Sequence, residues 1–144
     1  MEKEKIDRFI NEFAFLSNFW ISTLKFDGIF WKSAEHAYQA AKTLISEEKE
    51  QIKNAETPAL AKKLGRIITI REDWNDVKVS IMTEIVREKF KNPILRELLI
   101  ATDNAELIEG NFWNDKFWGV CRGVGENNLG KILMQIRDEI RNEV

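Results

Sequence analysis

The chain holds one cysteine, one histidine and two prolines in 144 residues. A lone Cys121 cannot close an intramolecular disulfide or build a cysteine zinc cluster, and that suits a reducing, intracellular compartment. A lone His36 excludes a His-rich metal site and any catalysis that needs two histidines. Seven glycines and two prolines are too few for a collagen-like or low-complexity chain. No run of about 18 apolar residues occurs, so no transmembrane helix is expected. The start, M-E-K-E-K-I-D-R-F, alternates charges and lacks the apolar stretch of a secretory signal. The expected location is cytoplasmic. Excess positive charge is missing too: 22 Lys and Arg face 24 Asp and Glu, a formal net charge of −2. No global field therefore draws in nucleic acid, although a local basic cleft stays possible.

What is present is core-forming material. Hydrophobic residues make up 44% of the chain, with nine Phe, five Trp and one Tyr among them. That excludes disorder for most of the chain and predicts a single domain over residues 1–144, without repeats or linkers. Asp27-Gly28 between two β-rich runs, 23–26 and 29–31, predicts a hairpin in a strand-like, aromatic first third. Ser33 reads as the N-cap of a helix to about residue 44, and Ser46 as the cap of a short charged one, 47–54. Thr57-Pro58 opens a third, closed by Gly65. Asp73 heads a longer helix to about residue 90, and Pro93 a shorter one to about 101. Residues 106–109 and 117–121 read as short strands, 123–128 as a loop, and 129–141 as a final amphipathic helix. The sum is a mainly helical α+β domain with a small β-sheet.

Three segments carry polar groups at suggestive spacing. In S-A-E-H-A-Y-Q-A-A-K, residues Glu35, Tyr38, Gln39 and Lys42 share one helix face, while Ala37, Ala41 and Leu44 share another that can pack inward. The polar face either lines a cleft or is simply solvated. His36 is either a substrate-binding group or a hydrogen-bonded structural residue. G-N-F-W-N-D-K-F-W-G, residues 110–119, offers aromatic walls for a base and Asp115 for a sugar hydroxyl or a developing cation. The alternative is a core strand end with Asp and Asn making turns. G-V-G-E-N-N-L-G-K, residues 123–131, precedes a helix and offers backbone N–H groups to a phosphate, with Arg122 and Lys131 for charge. It matches neither a Walker loop nor a dinucleotide fingerprint. Trp74 is a stacking wall or a core staple, and Cys121 reads as inert core.

Taken in order, these segments resemble the NADAR, or YbiA-like, family. The resemblance runs through F-L-S-N-F (15–19), D-G-I-F-W-K-S-A-E-H-A-Y-Q-A-A-K (27–42), L-G-R (64–66) and R-E-D-W (71–74). It continues through L-L-I-A-T (98–102), L-I-E-G-N (107–111), N-D-K-F-W-G-V (114–120) and G-E-N-N-L-G-K-I-L-M-Q-I-R (125–137). Lys32 departs from it, standing where many members have proline. The resemblance implies a YbiA-like fold and an N-glycosidase that needs no cofactor or metal. Its implied substrate is a phosphorylated ribosyl-aminopyrimidine of riboflavin biosynthesis, cleaved to ribose 5-phosphate. Alternatives are removal of ADP-ribose from guanine in DNA, or a silent module binding ADP-ribose or NAD; the negative net charge mildly favours the small substrate. No membrane association or obligate protein partner is expected. On this basis Glu35, Asp115 and Lys42 are the expected catalytic residues. Glu35 would stabilise the ribosyl cation or activate water, Asp115 would hold the ribose hydroxyls or assist the same charge, and Lys42 would form a Schiff base or pair with phosphate. Asn18, Trp74, Trp118, Asn127, Arg66, Arg71 and His36 are the expected substrate-binding residues.

Overall fold

A computed structural model describes residues 4–143; the expected single domain also spans residues 1–3 and 144, which lie outside them. The described chain is α+β and mainly helical. It divides into two compact units: one of residues 18–89, the other of the segments before residue 18 and after residue 89.

The 18–89 unit begins with the hairpin that Asp27-Gly28 predicts. The first hairpin strand is Ile21–Phe26, and it pairs antiparallel with the second, Ile29–Ser33. Leu24 faces Trp31 and Phe26 faces Ile29, with a register shift between Ile21 and Leu24. Asp27 and Gly28 both take positive φ (55° and 74°), the combination that a tight hairpin turn requires. Helix α1 (Ala34–Ala41) follows at once, because the extended Ser33 accepts a hydrogen bond from the His36 N–H. All eight α1 residues are buried. Its four alanines permit this, letting α2 (Ser46–Lys53), α3 (Pro58–Leu64), α4 (Trp74–Lys89) and the second hairpin strand approach closely. Thr57 caps α3 by accepting from the Leu60 N–H at 3.1 Å, and Pro58 occupies its first turn.

Helix α1 stops at Ala41 rather than near residue 44. The carbonyl of Lys42 accepts from the Arg71 N–H at 2.7 Å, a bond the helix would otherwise need. Leu44, expected to pack inward, is instead 68% exposed. Residues 11–16 form a 3-10 helix, not part of a strand-rich first third.

The other unit is built on α6 (Asn128–Arg141), whose Leu129, Ile132, Leu133, Ile136 and Ile140 are buried. It packs on α5 (Pro93–Ala101) and on the strand Glu106–Leu107. Two short parallel ladders complete the unit. Lys5–Ile6 pairs with Glu106–Leu107, and Gly110–Asn111 pairs with Val120–Cys121. The expected strands over 106–109 and 117–121 are thus shorter, and two partners, at 5–6 and 110–111, are added. Cys121 is buried, as an inert core thiol would be. No helix among the described residues is long and apolar enough to cross a membrane.

Candidate active site

Within the 18–89 unit, α1 places Glu35, Gln39 and Lys42 along one side, and the burial of that side overturns the solvated-face alternative. Glu35 is 7% exposed and Gln39 4% exposed. The Gln39 Nε2 donates to Glu35 Oε2 at 2.6 Å, and the Glu35 N–H donates to the Asn18 carbonyl at 3.0 Å. Asn18 is itself buried; its Nδ2 contacts Met82 Sδ at 3.5 Å and its Oδ1 has no partner. Gln39 Oε1 is likewise without a partner.

Lys42 closes the helix, half-buried, with Nζ 5.5 Å from the centre of the Tyr38 ring. Burial pushes its amine below the ordinary lysine range. Glu35 opposes this, while Lys62, Arg66 and Lys78 reinforce it. One carboxylate, Glu35, and three cationic side chains, Lys62, Arg66 and Lys78, therefore act on Lys42 at the end of α1. Lys62 and Lys78 escaped sequence reasoning. They lie on α3 and α4, at no spacing that links them to Lys42, and only the packing of both helices on α1 joins them. Trp74 is 8% exposed and its ring lies 5.2 Å from that of Tyr38, so it is packed at the start of α4 rather than presented as an open platform.

The two expected arginines differ. Arg66 is exposed. Arg71 is committed to Asp73, with Nε–Oδ1 at 2.5 Å and Nη2–Oδ2 at 2.9 Å. His36 is corrected from a substrate-binding to a structural residue: it is fully buried, with Nδ1 2.7 Å from Ser33 Oγ and Nε2 3.0 Å from the Ala55 carbonyl. The carbonyl can only accept, so Nε2 carries the proton and Ser33 donates to Nδ1. Burial lowers the imidazole pKa below 6.5.

Asp115, Trp118 and Asn127 belong to the other unit. Asp115 Oδ1 accepts from the N–H groups of Phe117 and Trp118, at 3.2 and 2.9 Å. Asn111 brackets the same turn, accepting from the Asp115 N–H and donating to its carbonyl. The Trp118 ring meets Phe117 edge-on at 4.8 Å. The expectation that the loop before α6 offers free amides to a phosphate is corrected. The N–H groups of Glu126, Asn127, Asn128 and Leu129 donate to the carbonyls of Lys116, Gly119, Phe117 and Trp118. The Asn127 side chain is occupied as well, donating to the Leu107 carbonyl and accepting from the Glu109 N–H, both at 2.9 Å. The loop's amides thus hold the 115–119 segment in place, a use that its glycine spacing could not reveal.

Comparison with known proteins agrees with this architecture. The NADAR domain family model matches residues 4–141. The N-glycosidase YbiA of Escherichia coli is 36% identical over 137 residues, which cover 92% of this chain and 85% of that protein. A riboflavin biosynthesis protein of Vibrio vulnificus is 41% identical over 132 residues, covering 89% of this chain but 36% of the longer protein. The NMR structure of E. coli YbiA superposes with a TM-score of 0.85 at 34% identity, covering 98% of this chain and 88% of that one.

Proposed function

The chain belongs to the NADAR domain family and is an enzyme of its N-glycosidase class, and from that premise we propose that its substrate is a phosphorylated ribosyl-aminopyrimidine of riboflavin biosynthesis. The observation that carries this is the buried Glu35, which acts on a half-buried Lys42 that Lys62, Arg66 and Lys78 also reach electrostatically. Breaking a ribose–nitrogen bond builds positive charge at the anomeric carbon, and a carboxylate fixed there stabilises it. A substrate phosphate needs cations, and the surrounding side chains supply them. The Vibrio relative's name adds weight to the riboflavin substrate class.

In this reading Glu35 takes a proton from water as the water oxygen bonds to the anomeric carbon. The carbon–nitrogen bond breaks, its electron pair leaves with the aminopyrimidine nitrogen, and that nitrogen takes a proton. Lys42 offers a second route. Its depressed pKa raises the fraction of neutral amine, which can add to the anomeric carbon of the ring-opened sugar and expel the aminopyrimidine. Water then hydrolyses the resulting Schiff base to ribose 5-phosphate and free lysine.

The test is a paired assay read by mass spectrometry. The protein and its Glu35→Gln variant each meet the ribosylated aminopyrimidine phosphate and guanine-ADP-ribosylated DNA. Release of ribose 5-phosphate by the protein, reduced about 100-fold or more in the folded variant, is expected. Release of ADP-ribose from the DNA alone overturns the proposal. Borohydride during turnover traps an adduct at Lys42 if the covalent route operates; no adduct removes that route.

A further inference from the structure

Gln39 makes a hydrogen bond that a stability-driven helix would not keep. Its Nε2 reaches Glu35 Oε2 at 2.6 Å, yet its own carbonyl oxygen is buried with no donor. The two ends are linked by simple chemistry. An ionised carboxylate only accepts, so the amide must turn its NH₂ toward Glu35. The Oε1 atom is then forced to the opposite side, where it meets Gly65. A Cβ on Gly65 would lie 1.9 Å from Gln39 Oε1 and 2.7 Å from its Cδ. Gly65 has φ −61° and ψ −14°, ordinary helical angles that any residue adopts. The glycine is therefore required by the space Gln39 occupies, not by the backbone. An apolar side chain at 39 would pack in the same place without an orphaned carbonyl.

We infer that Gln39 is a positioning residue, which fixes the carboxylate of Glu35 at the reacting carbon, and that Gly65 is the backstop holding the Gln39 amide in place. The inference rests on Glu35 acting as proposed above. Gln39 acts through Glu35 and touches no reacting atom itself.

Gln39→Met keeps the length of the side chain and removes the donor. With the ribosylated aminopyrimidine phosphate as substrate, kcat falls about 10- to 100-fold, the range expected when a catalytic group is misplaced by an ångström or so. KM stays within about two-fold, because no substrate contact is lost. The thermal midpoint falls by no more than about 8 °C, because Glu35 Oε2 loses a donor while removal of the orphaned carbonyl offsets part of that cost. Gly65→Ala displaces the Gln39 amide without altering it and lowers kcat in the same way. In the Gln39→Met background, Gly65→Ala lowers kcat no further.

Wild-type kcat in Gln39→Met, beside an inactive Glu35→Gln, overturns the inference and leaves the proposed function standing. Full activity of Glu35→Gln overturns the reading beneath it. A rise in KM alone makes Gln39 a substrate contact, and a fall in thermal midpoint beyond that range, or failure to fold, makes it structural; each overturns the inference. Independent losses from the two substitutions remove Gly65 from it.

Discussion

Two residues, His36 in α1 and Lys42 just past its end, have lowered pKa values, and each predicts a measurable response. His36 is buried with both ring nitrogens engaged, and its pKa lies below 6.5. As pH falls past 6.5 the unfolded chain takes up a proton before the folded one does. The His36 contribution to stability is complete above 6.5 and is lost on descent toward the folded pKa. The urea midpoint is expected to drop between about pH 7.5 and 5.5, and the single histidine NMR signal to titrate below 6.5. Lys42 is likewise lowered, first by burial and then by Lys62, Arg66 and Lys78, against the pull of Glu35. Lys78→Ala removes one repelling charge and raises the Lys42 pKa. Amine-labelling mass spectrometry at about pH 8 reads this as slower modification of Lys42 in the variant. Glu35 and Lys42 were legible because the helical repeat sets them on one face. The burial of that face was not, since a run of charged and polar residues looks the same whether solvated or covered. His36 was half legible: its rarity excluded metals, but its partner Ala55 lies 19 residues away, beyond any local pattern.

Three helices, α1, α3 and α5, begin where a side-chain oxygen of Ser33, Thr57 or Asn92 accepts from the first turn, and the first two caps differ in depth. Thr57 is exposed and its hydroxyl serves only the Leu60 N–H. Ser33 is fully buried, accepts from the His36 N–H and donates to its Nδ1. Thr57→Ala is expected to cost about 1 kcal/mol, the ordinary worth of a cap. Ser33→Ala costs more, by about a further 1–3 kcal/mol, because it strands a buried ring nitrogen. Urea unfolding of the two variants checks the order. Local signals of this kind made the hairpin, the Ser33 and Thr57 caps and most helix limits readable, whereas Ser46, expected to cap α2, lies inside it, and Ile45 precedes it with no side-chain cap bond. The two-residue parallel ladders were not readable, because each strand is too short for a periodicity and its partner is remote. The early end of α1 depends on the Arg71 N–H, which comes from another part of the chain.

At the scale of the molecule, the family motifs could be read in order, but the division into two units could not. No linker or change of composition marks residues 18 and 89, and one unit is assembled from both ends of the chain. Its first strand is bound at two places: the Glu106 N–H donates to the Glu4 carbonyl and the Ile108 N–H to the Ile6 carbonyl, both at 2.8 Å. Removing residues 1–6 takes away both acceptors. Hydrogen exchange at Glu106 and Ile108 should then accelerate strongly, and unchanged protection would disprove the role of that strand. The same pairing has a consequence for synthesis. Translation proceeds from the N-terminus at about 5–20 residues per second, so the segment around Lys5 is made some 5–20 seconds before Glu106. Meanwhile residues 18–89 emerge with every partner for their own hairpin and helices. The beginning of the chain is therefore among the last parts to find its place, and the newborn protein must carry Ile6 and its neighbours unpaired until the second half arrives.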